Sequence, residues 1–99
     1  MIRHIVSWKL KATDEESRAI AAAEIAAALE GLIPVIPEIL ALAVSRDASQ
    51  NEKNHHLVLV ADFASLEDLE AYLVHPNHIR AAGVIGTRVS ARACVDVEV

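Results

Sequence analysis

Two stretches, His55 to Phe63 and Ala91 to Val99, read as strands that are apolar on both sides. In the first, Leu57, Leu59, Ala61 and Phe63 fall on one face and His56, Val58, Val60 and Asp62 on the other. In the second, Ala93, Val95, Val97 and Val99 alternate with Arg92, Cys94, Asp96 and Glu98. A strand with one face in water shows a polar residue at every second position. Neither face of the sheet built from these strands is polar enough for that, so the sheet must be covered twice. Its own helices supply one cover. Burial is worth about 25 cal/mol per Å² of apolar surface, and a large exposed apolar patch marks an interface. The second cover is therefore expected to be another copy of the chain, its sheet laid face to face about a two-fold axis.

The remaining elements follow in order. Ile2 to Leu10 alternates with β-branched and aromatic residues, placing Ile2, His4, Val6, Trp8 and Leu10 on one face of a first strand. Thr13-Asp14-Glu15-Glu16 reads as a capping box with Thr13 as the cap, opening an alanine-rich helix to about Glu30. Its apolar stripe is Ala22, Ile25, Ala26 and Leu29, and Gly31 is a natural stop. Pro34 and Pro37 mark a loop, Glu38 to Arg46 a second strand, and Asp47 to Asn54 a polar turn. After the third strand, Ser65 caps a second helix through Leu73 or Val74, and a third helix runs from Pro76 toward Gly86. The order strand–helix–strand–strand–helix–strand predicts an α+β split βαβ fold, a four-stranded antiparallel sheet with helices on one face. Strands one and three are then central, with strand four beside strand one, making His4 and Asp96 cross-strand neighbours.

At 99 residues the chain has the size of one domain, taken as 1–99. Its net charge of −5, without any Lys/Arg cluster, argues against a nucleic-acid or membrane-surface partner. No apolar run reaches the roughly 18 residues of a membrane span. Cys94 is the sole cysteine, so no disulfide framework or thiolate metal site is expected, and a cytoplasmic location follows. Cys94 itself reads as a small buried hydrophobe.

The chemistry-bearing residues cluster at Tyr72-Leu73-Val74-His75-Pro76-Asn77-His78. Pro76 disfavours helix at His75 yet suits the first turn of a new helix. Tyr72 is thus expected on the last turn before a bend and His78 on the first turn after it. Neither His75/His78 nor His55/His56 has the helical His-x-x-x-His spacing or the carboxylate cluster of a metal site, so no metal or other cofactor is expected.

Four segments together resemble the stress-responsive A/B barrel (Dabb) family. They are Met1-Ile2-Arg3-His4-Ile5-Val6, Gly31-Leu32-Ile33-Pro34, Ala71-Tyr72-Leu73-Val74-His75-Pro76-Asn77-His78 and Val95-Asp96-Val97-Glu98-Val99. The resemblance spans essentially the whole chain. It implies a ferredoxin-like fold that dimerises through its sheets into an α/β barrel. One group in the family is similar to a plant polyketide cyclase, which closes an aromatic ring by intramolecular aldol chemistry. That likeness implies Tyr72 and His78 as reacting groups, with His4 and Asp96 in support. The chain differs from that cyclase in its alanine-rich first helix, in Leu57 where an additional His would stand, and in Arg92 where an apolar pocket residue is expected.

The leading expectation is a homodimer that binds a small, partly apolar carbonyl compound between sheet and helices. Val6, Trp8, Leu57, Leu59, His75 and Cys94 are the expected lining. An enzyme reading goes further. His78 removes a proton next to a carbonyl, Tyr72 donates a hydrogen bond to the enolate, and Asp96, directly or through His4, fixes an imidazole tautomer. A more distant alternative is a haem-type monooxygenase, which shares the fold class only. The purely structural alternative has His78 capping the third helix, His4 bonded to Asp96, and Tyr72 in the core with its hydroxyl satisfied.

Overall fold

Strict alternation of burial along two strands sets the architecture. In the computed structural model, which describes residues 1–99, β1 (Ile2–Leu10) and β3 (Leu57–Phe63) bury every second side chain. Between and around them lie α1 (Glu15–Glu30), β2 (Ala41–Arg46), α2 (Leu66–Leu73), α3 (Pro76–Gly86) and β4 (Val89–Glu98). The sheet order is β2-β3-β1-β4, with every pair antiparallel. This is the ferredoxin-like α+β fold, with the two central strands and the β1–β4 pairing that the element order implies.

The helices cover one face. Ile25 and Leu29 of α1, Leu69 and Tyr72 of α2, and Ala81 and Ile85 of α3 close over Val6, Trp8, Leu59, Ala61 and Phe63 in a single core. The opposite face has no helix. There Ala43, Val60, Ile5 and Val95 stand side by side across all four strands, and Val95 is 58% exposed. The adjoining row is Ser45, Val58, Ser7 and Ala93. Beyond it on the other side, Arg3 and Asp62 form an ion pair at 2.8 Å.

Several boundaries differ from the sequence expectation, each for a local reason. The cap of α1 is Asp14, not Thr13: its carboxylate accepts from the Ser17 amide at 2.8 Å. Gly31 ends the helix in right-handed geometry, and a Cβ there would sit 3.1 Å from the Ala27 carbonyl oxygen, a tight contact that favours glycine. β2 starts at Ala41, not Glu38, because the turns through Pro34 and Pro37 bury Ile36 and Ile39 before the chain joins the sheet. β3 starts at Leu57, two residues late, and β4 starts at Val89, two residues early. There a bulge between Lys9 and Leu10 lets the pairing reach Leu10. Ser65 caps α2 as expected, accepting from the Asp68 amide at 3.1 Å.

Candidate functional site

The bend between α2 and α3 is built as its proline predicts. His75 is extended (φ −63, ψ 134), Pro76 opens α3, and the His75 Nδ1 accepts from the Asn77 amide at 3.1 Å. His75, not His78, is therefore the cap of α3, and its ring is spent on that role. This leaves His78 free to turn inward. Its ring centroid lies 4.4 Å from that of Tyr72, with the planes inclined by 52°. Tyr72 packs in turn on Phe63, with centroids 4.9 Å apart, and meets His4 edge-on at 6.2 Å.

Tyr72 is fully buried, and its hydroxyl has no hydrogen-bond partner. Burial pushes its pKa up to about 12, so the phenol stays protonated and keeps its donor at neutral pH. His78 Nδ1 lies 3.0 Å from the Leu73 carbonyl oxygen. A carbonyl can only accept, so Nδ1 carries the proton and Nε2 keeps its lone pair. Desolvation holds the His78 pKa below its ordinary value, against the opposing pull of the Leu73 carbonyl, with His4, Arg92 and His75 adding small repulsions. His78 is thus a neutral imidazole of fixed tautomer at pH 7.

The cross-strand pair forms in the expected register. His4 Nδ1 lies 2.5 Å from Asp96 Oδ1, on opposed residues of β1 and β4. The imidazole is 3% exposed, and the carboxylate reaches it from the surface. Cys94 is exposed, contrary to the expectation of a buried thiol, because no helix covers β4. Its Sγ lies 3.7 Å from the same His4 nitrogen. Burial and Asp96 raise its pKa, so the thiol form is favoured. The ligand atoms of His4, Cys94 and Asp96 fall within 4.8 Å of one another. The other four histidines point their Nδ1 atoms at four different partners, Ser7, Leu10, Asn77 and Leu73.

A cleft of about 130 Å³ opens beside this cluster. Of the expected residues, His4, Val6, Trp8, Leu59 and His78 form its walls. Tyr72 does not border it, but stands behind His78, in contact with both His78 and His4. Asp96 and Cys94 lie outside, on β4, and His75 sits at its cap. Leu57 is buried further along β3 and borders other grooves. The remaining walls are Leu29, Leu73, Ala82, Ile85, Gly86, Val89 and Arg92. Leu29 was legible as the end of the α1 apolar stripe. Ala82, Ile85 and Gly86 share one face of α3 at helical spacing, a signal that could have placed them here. A wider groove of about 670 Å³ lies at the other end of β1, but its walls are mostly charged and polar side chains, among them Lys9, Arg18, Arg46 and Asp47.

A family model described as the stress responsive A/B barrel domain matches residues 2–99. No curated protein matches the chain in sequence. Among solved structures, a dimeric protein of unknown function with a ferredoxin-like fold from Bacteroides fragilis NCTC 9343 is similar, at 27% identity and a TM-score of 0.88. The match covers 99% of this chain and 95% of that one. A dimeric ferredoxin-like protein of unknown function from Thermobifida fusca YX is 26% identical, with a TM-score of 0.82, over 99% of this chain and 90% of that one. A hydroxynitrile lyase from Passiflora edulis shares the fold at 16% identity and a TM-score of 0.81, over 97% and 90% of the two chains.

Proposed function

The chain belongs to the stress-responsive A/B barrel domain family, and we propose that it is a homodimer binding a small, partly apolar carbonyl compound in the cleft beside His78. The observation that carries this reading is the buried, unpartnered hydroxyl of Tyr72. Leaving such a donor unmet costs about 1–3 kcal/mol, and folded proteins rarely retain that cost without a use for the group. A carbonyl oxygen is the acceptor that fits a neutral phenol behind an apolar cleft.

The dimer is supported by the apolar row Ala43–Val60–Ile5–Val95, left open by the helices. The two most similar structures named above are both dimeric. The single free thiol suits a reducing cytoplasm, and no helix is long and apolar enough to cross a membrane.

Trp8 is the sole tryptophan and forms part of the cleft wall, so its fluorescence reports occupancy. Titration with cyclopentanone is expected to give a saturable change at one ligand per chain. No change up to the solubility limit of the ketone would rule the binding reading out.

A second reading, turnover by proton abstraction, is favoured by the fixed tautomer of His78. The C–H proton next to the carbonyl passes to Nε2, the bond pair moves into the carbonyl as an enolate, and Tyr72 donates to the enolate oxygen. The test is deuterium incorporation at that carbon in D2O. Exchange accelerated by the protein and lost in His78→Ala supports turnover; equal exchange in both limits the protein to binding.

A further inference from the structure

Building on the cleft-binding reading, we infer that Arg92 makes this site selective for small oxo-acids, its guanidinium receiving the ligand's carboxylate at the cleft mouth while the ketone end lies toward His78.

The argument begins with how the chain uses its arginines. Arg3 is paired with Asp62, Arg46 with Glu15 and Arg88 with Glu24. Arg18 donates to the Ala12 carbonyl and Arg80 to the Asn77 side chain. Arg92 alone donates to no carboxylate, carbonyl or amide of the protein. Its one side-chain hydrogen-bonding neighbour is the weakly accepting Cys94 thiol. In a chain of net charge −5, a partnerless arginine is not explained by a shortage of acceptors. Arg92 is exposed on the edge strand β4, sits opposite Trp8 in the β1–β4 register and forms one wall of the cleft.

The rest of that wall divides cleanly. Val6, Trp8, Leu59, Leu73, Ile85 and Val89 are apolar, and the only other ionisable groups are His4 and His78. His4 is already committed to Asp96, and His78 is neutral. Arg92 is close enough to His78 to disfavour its protonation, so both ends of a short ligand are within reach. The site therefore presents one fixed positive charge at the mouth and an apolar interior. A planar guanidinium with free donors matches a carboxylate bidentately.

Size narrows the class further. A cavity of about 150 Å³ holds a benzene-sized molecule, and this cleft is about 130 Å³. The enclosed part of the ligand is thus limited to about six to eight non-hydrogen atoms, with the anionic end outermost. A short-chain keto-carboxylate satisfies size, charge and the carbonyl requirement together. An extended polyketide chain does not fit inside.

The test compares two probes of equal size, 4-oxopentanoate and hexane-2,5-dione, which differ only by a carboxylate oxygen in place of a methyl group. Trp8 fluorescence titrations are run on wild type and on Arg92→Gln, a surface substitution that leaves the core untouched. Wild type is expected to prefer the acid by about two- to fivefold, the range of one exposed charge pair, with the preference shrinking as salt rises. Arg92→Gln should remove the preference, bringing the affinity for the acid down to that for the diketone. Equal affinity for both probes in wild type would overturn the selectivity while leaving the cleft reading intact, as would a preference that survives in Arg92→Gln. Diketone affinity falling along with acid affinity in Arg92→Gln would show a packing role and overturn it too. Failure of wild type to bind either probe would remove the cleft reading, and this inference with it.

Discussion

The Tyr72 and His78 rings lie 4.4 Å apart, centroid to centroid, and the Tyr72 hydroxyl is buried without a partner. A bend in the chain brings them together: Val74 caps the end of α2 and His75 the start of α3, so the last turn of α2 faces the first turn of α3. Tyr72 thus carries the cost of a buried donor that no protein group meets.

Removing that cost should be measurable. Tyr72→Phe deletes the orphan oxygen and keeps the ring that packs on Phe63 and His78. It is expected to raise the unfolding free energy by about 1 kcal/mol, read from urea denaturation at fixed protein concentration. A loss of similar size would mean that the hydroxyl is satisfied in the free protein.

The histidines set the acid side of stability. His78 and His56 both have pKa values held below the ordinary 6.5, in each case chiefly by desolvation. As pH falls, the unfolded chain takes up these protons before the folded chain does, so stability rises with pH across the interval. The contribution is complete above about 6.5 and is lost as pH drops through the lower folded values. Carboxylates such as Asp14 and Asp62, held below their ordinary values by hydrogen bonds, act at lower pH. Urea unfolding free energy should therefore decline from pH 7 to pH 5, and His78→Asn should flatten that slope. An unchanged slope in the variant would place His78 outside the desolvated cluster.

His75 separates capping from binding. His75→Ala removes the acceptor for the Asn77 amide and should cost about 1 kcal/mol, whereas His75→Asn should recover most of it. Neither substitution should alter cyclopentanone affinity, because the ring does not border the cleft. A drop in affinity with His75→Asn would return His75 to the ligand site.

The open face of the sheet predicts its own disruption. Val60→Lys puts an ammonium at the centre of the row shared with Ile5, Ala43 and Val95. Sedimentation equilibrium should show a dimer for wild type and a monomer for the variant, with helical circular dichroism preserved. A monomeric wild type at micromolar concentration would contradict the interface.

Much of the fold was legible because strand period is a local property. Ile2 to Leu10 and Leu57 to Phe63 announce their faces in the sequence, and Pro76 announces the bend. The cap of α1 slipped by one residue because Thr13 and Asp14 are both good caps and only the path of the chain chooses between them. Cys94 was read as buried because its strand is apolar; whether a helix lies over β4 depends on where three helices dock, which spacing does not encode. The site was half legible. Its residue types stood out at Tyr72 and His78, and the His4–Asp96 pair followed from topology. The orphan hydroxyl and the partnerless Arg92 are statements about what is missing nearby, and only a folded chain can make them.

The most direct test observes the carbonyl itself. Cyclopentanone labelled with 13C at the carbonyl is mixed with excess protein, and its resonance is recorded in wild type and in Tyr72→Phe. A hydrogen bond from the buried phenol should move the bound carbonyl signal downfield in wild type, and the variant should lose that displacement. A bound signal at the same position in both proteins would show that Tyr72 does not receive the ligand.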